Sequence, residues 1–247
     1  LASQQFTFPG GASSIGPMCT GTAGSVAVTL PANAGNHLLV VVEAPTLVPF
    51  TPPAVPVPPA GITAWCQLDS VAATNGAGHL EVWHLPAKYN TGGLTSFTFG
   101  GQAGTVNCAG AAMEVAIPAG CMIIPNAIGA IPNPVTPAAT PASYAVASAC
   151  GNAPDCLGLV AAGVFYVGAE TGTWTAAPSG WTQAAYHAGG QNALNWLYNL
   201  DLAAGEQSVT VGYSAAGAAG CCASYLALRS ARLPVMGCGG SEMLEVV

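Results

Sequence analysis

Charge is almost missing from this sequence. Only 3 Lys+Arg and 10 Asp+Glu serve 247 residues, a charged fraction of 5%, where an ordinary globular domain carries roughly 25%. Lys88, Arg229 and Arg232 are the whole basic complement. No positive groove can be assembled from them, so nucleic acid is excluded as a partner. Anionic membrane surfaces are excluded on the same ground. Long hydrophobic runs are missing as well, although 51% of the residues are apolar. The longest, "LGLVAAGVFYVGA" from Leu157, falls short of the roughly 18 residues a membrane-spanning helix needs. No membrane span is expected. Helical periodicity is the third absence. No long segment carries a 3.6-residue apolar stripe, and 32 Gly and 20 Pro work against long helices.

Catalytic and metal signatures are absent too. There is no C-x-x-C, H-E-x-x-H, phosphate-binding loop or calcium loop. The stretch "GASSIG" carries Ile15 where a nucleophile elbow needs its second glycine. His79 and His84 are five apart, which puts them on opposite faces of a regular strand. His37 and His187 stand alone. Glu81 and Glu114 are the pair of carboxylates best placed to face each other, as a glycosidase would require, yet outward polar positions explain them equally well. No acid, base and nucleophile converge. The expectation is therefore no enzyme, with no catalytic residue, metal site or cofactor.

What the sequence does have is strands. "SVAVTL", "HLLVVVEA", "ITAWCQL", "HLEVWHL", "LTSFTFG" and "AAMEVAI" fill the first half. "ASYAVAS", "LGLVAAGVFYV", "GWTQAAYH", "NALNWLYNLDL", "QSVTVGY" and "CCASYLALR" fill the second. All are short, rich in β-branched and aromatic residues, and bounded by Gly, Pro, Asn and Ser. The predicted class is all-β, a two-sheet jelly-roll-like sandwich. A weak internal repeat supports two similar halves. Trp83 to Trp196 and Cys108 to Cys221 share an offset of 113 residues. The expected plan is one domain over residues 1–231, with halves of roughly 1–124 and 142–231. The proline-rich stretch "IPNPVTPAATP" forms the crossover, "VPFTPPAVPVPPAG" reads as a long loop, and 232–247 reads as a C-terminal arm.

Nine cysteines in so uncharged a chain suggest an oxidising, extracellular setting. Cys150 and Cys156 flank the turn "GNAPD" and form the best local disulfide. Cys108 and Cys221 occupy matching places in the repeat and are the second candidate pair. An odd count leaves a thiol over, and Cys238 in the tail is the natural intermolecular one. Cys221 and Cys222 are adjacent, so on a strand they point to opposite faces and cannot easily share a metal. Trp174 and Trp181 flank the turn "TAAPSG" and are the candidate sugar platform, since exposed aromatics in sandwiches can stack on pyranose rings. Trp83 and Trp196 read as core.

The order "NHLLVVVEA … HLEVWHLPA … LTSFTF … AAMEVA … SGWTQAAYH … LNWLYNL … GEQSVTVGYS … SYLALR" resembles a family of secreted and phage-encoded jelly-roll or concanavalin-like β-sandwich domains. Such domains occur in bacterial surface proteins and tailed-phage virion proteins. The likeness spans most of residues 24–230 and rests on strand order and spacing. Where the family has an aspartate-glycine turn, this chain has the proline-rich loop and "LDSVAATNG". The resemblance implies a non-enzymatic structural protein on a virion surface, as a capsid decoration or tail component. An extracellular surface or filament subunit and a carbohydrate-binding module are the alternatives. The expected partners are copies of itself and other virion or surface subunits. The near absence of charge fits association of that kind. The N-terminal "LASQQFTFPGG" and the tail "MGCGGSEMLEVV" are the expected exchanged strands.

Overall fold

The computed structural model describes residues 6–21, 24–45, 65–73, 78–93, 95–100, 107–117, 121–131, 142–149, 156–170, 172–188, 190–202, 206–215 and 219–232. Strands and short 3-10 turns are the only regular elements among them. No helix of the described residues is long and apolar enough to cross a membrane. The first half holds β1 (Cys19–Gly21), β2 (Val26–Thr29), β3 (Leu38–Pro45), β4 (Cys66–Ala72), β5 (His79–Leu85), β6 (Ser96–Phe99) and β7 (Cys108–Val115). The second holds β8 (Cys121–Ile131), β9 (Ala142–Ala149), β10 (Cys156–Glu170), β11 (Gly172–Trp174), β12 (Thr182–His187), β13 (Gly190–Leu202), β14 (Glu206–Ala215) and β15 (Ala219–Arg232).

One two-sheet sandwich is expected from the sequence; the described strands instead form four antiparallel sheets. Their orders are β1-β7-β3-β5-β4, β2-β6, β12-β13-β10-β15-β8 and β11-β14-β9. The pairing is nested in each half. In the first, β1 pairs with β7, β2 with β6 and β3 with β5. In the second, β8 pairs with β15, β9 with β14 and β10 with β13. Reading β8-β15-β10-β13-β12 against β1-β7-β3-β5-β4 matches every strand of the two large sheets.

Three apolar clusters show how the sheets stack. Val71, Leu80, Val82 and Met113 from the first large sheet meet Leu157, Leu159, Trp196 and Leu226 from the second. The two five-stranded sheets therefore pack face to face. On the far side of the first sheet, Trp83, Leu85 and Ala112 pack against Val26, Val28, Phe97 and Phe99 of the β2-β6 ribbon. On the far side of the second, Val160, Leu197 and Tyr225 pack against Val209, Val211 and Tyr213 of β14. Strands buried on both faces lose the apolar/polar alternation, which is why β7 is buried along its whole length.

The repeat exists, with one correction of phase. A bulge lies between Gln67 and Asp69 on β4, and another between Gln183 and Ala185 on β12. Gln67 pairs with Trp83, and Gln183 pairs with Leu197. Trp83 thus corresponds to Leu197, and Trp196 corresponds to Val82. Accordingly Trp83 lies in an outer cluster and Trp196 between the halves. A one-residue slip reverses every face of a strand. Cys108 and Cys221 keep the expected correspondence, each facing its own outer layer.

β8 already pairs with β15 from Arg232↔Cys121 to Ala223↔Ile131, so the second half takes in residues ahead of the proline-rich stretch. Phe6 is buried in the cluster between the halves, and Thr7 and Ala116 exchange backbone hydrogen bonds. The tail from residue 233 and the loop 46–64 lie outside the described residues.

Candidate functional site

Cys150 and Cys238 lie outside the described residues, as does the side chain of Cys156. Cys108 and Cys221 are buried thiols in no disulfide, and they sit in separate clusters on opposite sides of the molecule's centre. Cys221 and Cys222 point to opposite faces, one toward the outer layer and one between the halves. Burial pushes the Cys221 thiol up to about 11. Burial, with Cys221 and Asp69 nearby, raises Cys222 well above the ordinary range. Both stay protonated and unreactive at neutral pH. No group of three or more metal-binding side chains occurs among the described residues.

Glu114 is enclosed. Its carboxylate accepts hydrogen bonds from the backbone N–H of Ala34 (2.9 Å) and of Gly35 (2.8 Å), and from Asn90 Nδ2 (3.2 Å). Asn90 Nδ2 also donates to the His37 carbonyl, and its Oδ1 accepts from Asn33 Nδ2 at 3.0 Å. The Gly35 N–H is shared with Asn33 Oδ1. Glu114, Asn33 and Asn90 are all buried. They tie the loop before β3 to the loop after β5. Gly35, at φ +79°, lies against the Gly92 backbone where a Cβ would collide, so only glycine suits that crossing. Glu81, also buried, accepts from Gln67 Nε2 at 2.9 Å. Glu81 and Glu114 sit on strands either side of β3, paired with Glu43 and Leu39, four residues apart. Each is committed to its own partners, and they do not face each other across a cleft.

Between the halves, Ser224 Oγ donates to Asp69 Oδ2. The pair lies beside Cys222, two residues before Ser224 on the same face of β15. Ser224 is only 1% exposed, so no substrate reaches it. This is a strap across the central interface rather than a nucleophile.

An open cleft of about 360 Å³ lies in the second half, lined by residues that include Thr173, Trp174, Thr175, Gln183 and Tyr186. Trp174 is fixed from two sides. Its indole N–H donates to the His187 carbonyl at 2.7 Å, and its ring lies 4.6 Å from that of Tyr213. Tyr186 is 56% exposed, the one large hydrophobic side chain so placed among the described residues. The bulge on β12 brings Gln183 and Tyr186 to the same face although they are three apart. Trp181, expected beside Trp174, instead packs edge-on against Tyr225 at 5.6 Å. The sequence reasoning missed Tyr186 because regular alternation separates it from Gln183; only the bulge unites them. Comparison with family models, with curated proteins and with solved structures finds no match.

Proposed function

We propose that the protein is a non-enzymatic structural subunit that assembles with its own copies on the outside of a virion, as a capsid decoration or tail component. The same surface suits an extracellular surface or filament subunit. The nested strand pairing supports reading each half as a jelly-roll-like sandwich. Jelly rolls recur in viral capsid and lectin domains, an analogy of fold that fixes no function by itself.

One observation carries the reading. The chain has 10 Asp+Glu, and Glu81 and Glu114 are buried, at 0% and 1% exposure. The surface therefore holds still less charge than the composition suggests, and little remains to oppose association. Sedimentation velocity of the untagged chain over a concentration series should show assemblies, reduced when residues 234–247 are removed. A monomer at high concentration, unchanged by that truncation, would sink the proposal. Mass spectrometry of purified particles and of the cell envelope tests the location.

A further inference from the structure

The described strands of the two halves correspond one to one except for β11. The β2-β6 ribbon has two strands, whereas its counterpart has a third, β11, along the edge of β14. No counterpart of β11 occurs among the described residues of the first half. On β12, Tyr186 pairs with Asn195; the matching pair in the first half is Ser70 with Glu81. Trp174 on β11 and Tyr186 on β12 thus have no counterpart among the described residues of the first half, and together they wall the cleft.

The lining defines the ligand. It contains two aromatic side chains, hydroxyls from Thr173 and Thr175, and the amide of Gln183, with no charged group. The Gln183 Nε2 donates to Asn195 Oδ1 at 2.7 Å, which leaves the Gln183 carbonyl oxygen for a ligand. Asn195 is 1% exposed and its Nδ2 has no hydrogen-bond partner among the described residues. Exchanging the two amides end for end gives Asn195 Nδ2 the Gln183 oxygen and leaves Gln183 Nε2 free to donate instead. The pair can therefore offer either an acceptor or a donor. In the first half, the carboxylate of Glu81 fixes Gln67 as donor, and that choice is gone.

We propose that this cleft binds a neutral carbohydrate chain, with Tyr186 and Trp174 stacking on sugar rings and Gln183, Thr173 and Thr175 meeting hydroxyls. Aromatic faces carry negative potential, which suits the C–H face of a pyranose. Ring hydroxyls both donate and accept, as an amide pair of either polarity requires. Trp174 is locked by its N–H bond and by Tyr213 before any ligand arrives, so little ordering remains to be done on binding. The cleft is open and near the small end of ligand-site volumes, as an extended chain passing across it needs. The lack of charge disfavours acidic glycans and phosphates. A proline-rich segment also docks on aromatic walls, but the usual indole N–H donor is already taken by His187.

Affinity electrophoresis of the full chain in gels containing laminarin, hydroxyethylcellulose, xylan or galactomannan tests this. Retardation by at least one of them is expected. Tyr186→Ala, at an exposed position, should weaken it about five- to tenfold, the loss of one stacking contact. Gln183→Ala should weaken it with the same melting curve, and Trp181→Phe should leave it unchanged. A peptide of residues 48–61 serves as the competing probe. No retardation in any gel, retardation undiminished by Tyr186→Ala, or binding of the peptide alone would each overturn the proposal. None of these outcomes bears on self-assembly.

Discussion

Single residues divide sharply here by what surrounds them. Cys66 is exposed on β4, whereas Cys221 and Cys222 are buried thiols with raised pKa values. Iodoacetamide at pH 8 should alkylate Cys66 in the native protein and reach Cys221 and Cys222 only after unfolding, as read by peptide mass spectrometry. Rapid native labelling of Cys222 would contradict its burial. His84 provides the pH response. Burial lowers its pKa, partly offset by a hydrogen bond with the Cys66 backbone. Its Nδ1 is buried without a hydrogen-bond partner among the described residues. Protonation therefore favours the unfolded chain. This residue's contribution to stability is complete above the unfolded value of about 6.5 and is lost as pH falls through the lower folded value. Urea midpoints measured from pH 8 to pH 5 should decline, and His84→Gln should flatten that decline. A midpoint rising toward pH 5 would reverse the sign.

At the level of elements, the Glu114 clamp binds two loops that strand pairing alone leaves loose. Glu114→Ala takes the acceptor from the Ala34 N–H and leaves the Gly35 N–H with Asn33 and the Asn90 amide with the His37 carbonyl alone, at a cost of roughly 1–3 kcal/mol. Chemical denaturation measures it, and faster hydrogen exchange at Ala34 and Gly35 should accompany it. A change under 1 kcal/mol, on the order of a surface substitution, would show the clamp to be dispensable. Elements also show what a sequence makes legible. The strand "HLEVWHL" coincides with β5, because its β-rich run is closed by Gly78 and Pro86. β8 escaped detection since Pro125 interrupts it; the proline sits where the β8–β15 register shifts, on an edge strand, the setting that tolerates it. β11 is three residues long and exists only by pairing with β14. Both bulges are invisible in a pattern of alternation. The bulge on β12 concealed the Gln183–Tyr186 pair, and the Trp83–Trp196 correspondence slips because the path from β5 to β7 is one residue longer than that from β13 to β15. Glu114 is a single carboxylate in an apolar strand, and its role depends on loops about 80 and 24 residues away.

For the whole molecule, the decisive surface is the one between the halves. Phe165 of the second half lies where a Cβ on Gly78 of the first would stand, and Ser224 is strapped to Asp69. Ser224→Ala should cost about 1–3 kcal/mol by leaving that carboxylate with the Ser70 N–H and without its donor from the other half. Gly78→Ala should cost more, because Phe165 is fully buried and has no room to yield. Thermal unfolding should remain a single transition in both variants if the halves act as one body. Two separated transitions would show that they do not. The matching of the two large sheets reaches further than stability. Each contributes the same face to the centre, so the interface joins like to like, as in a symmetric dimer. A chain ending after β7 would present Leu80, Val82 and Met113 to water. A second copy of that half would offer the matching face to cover them.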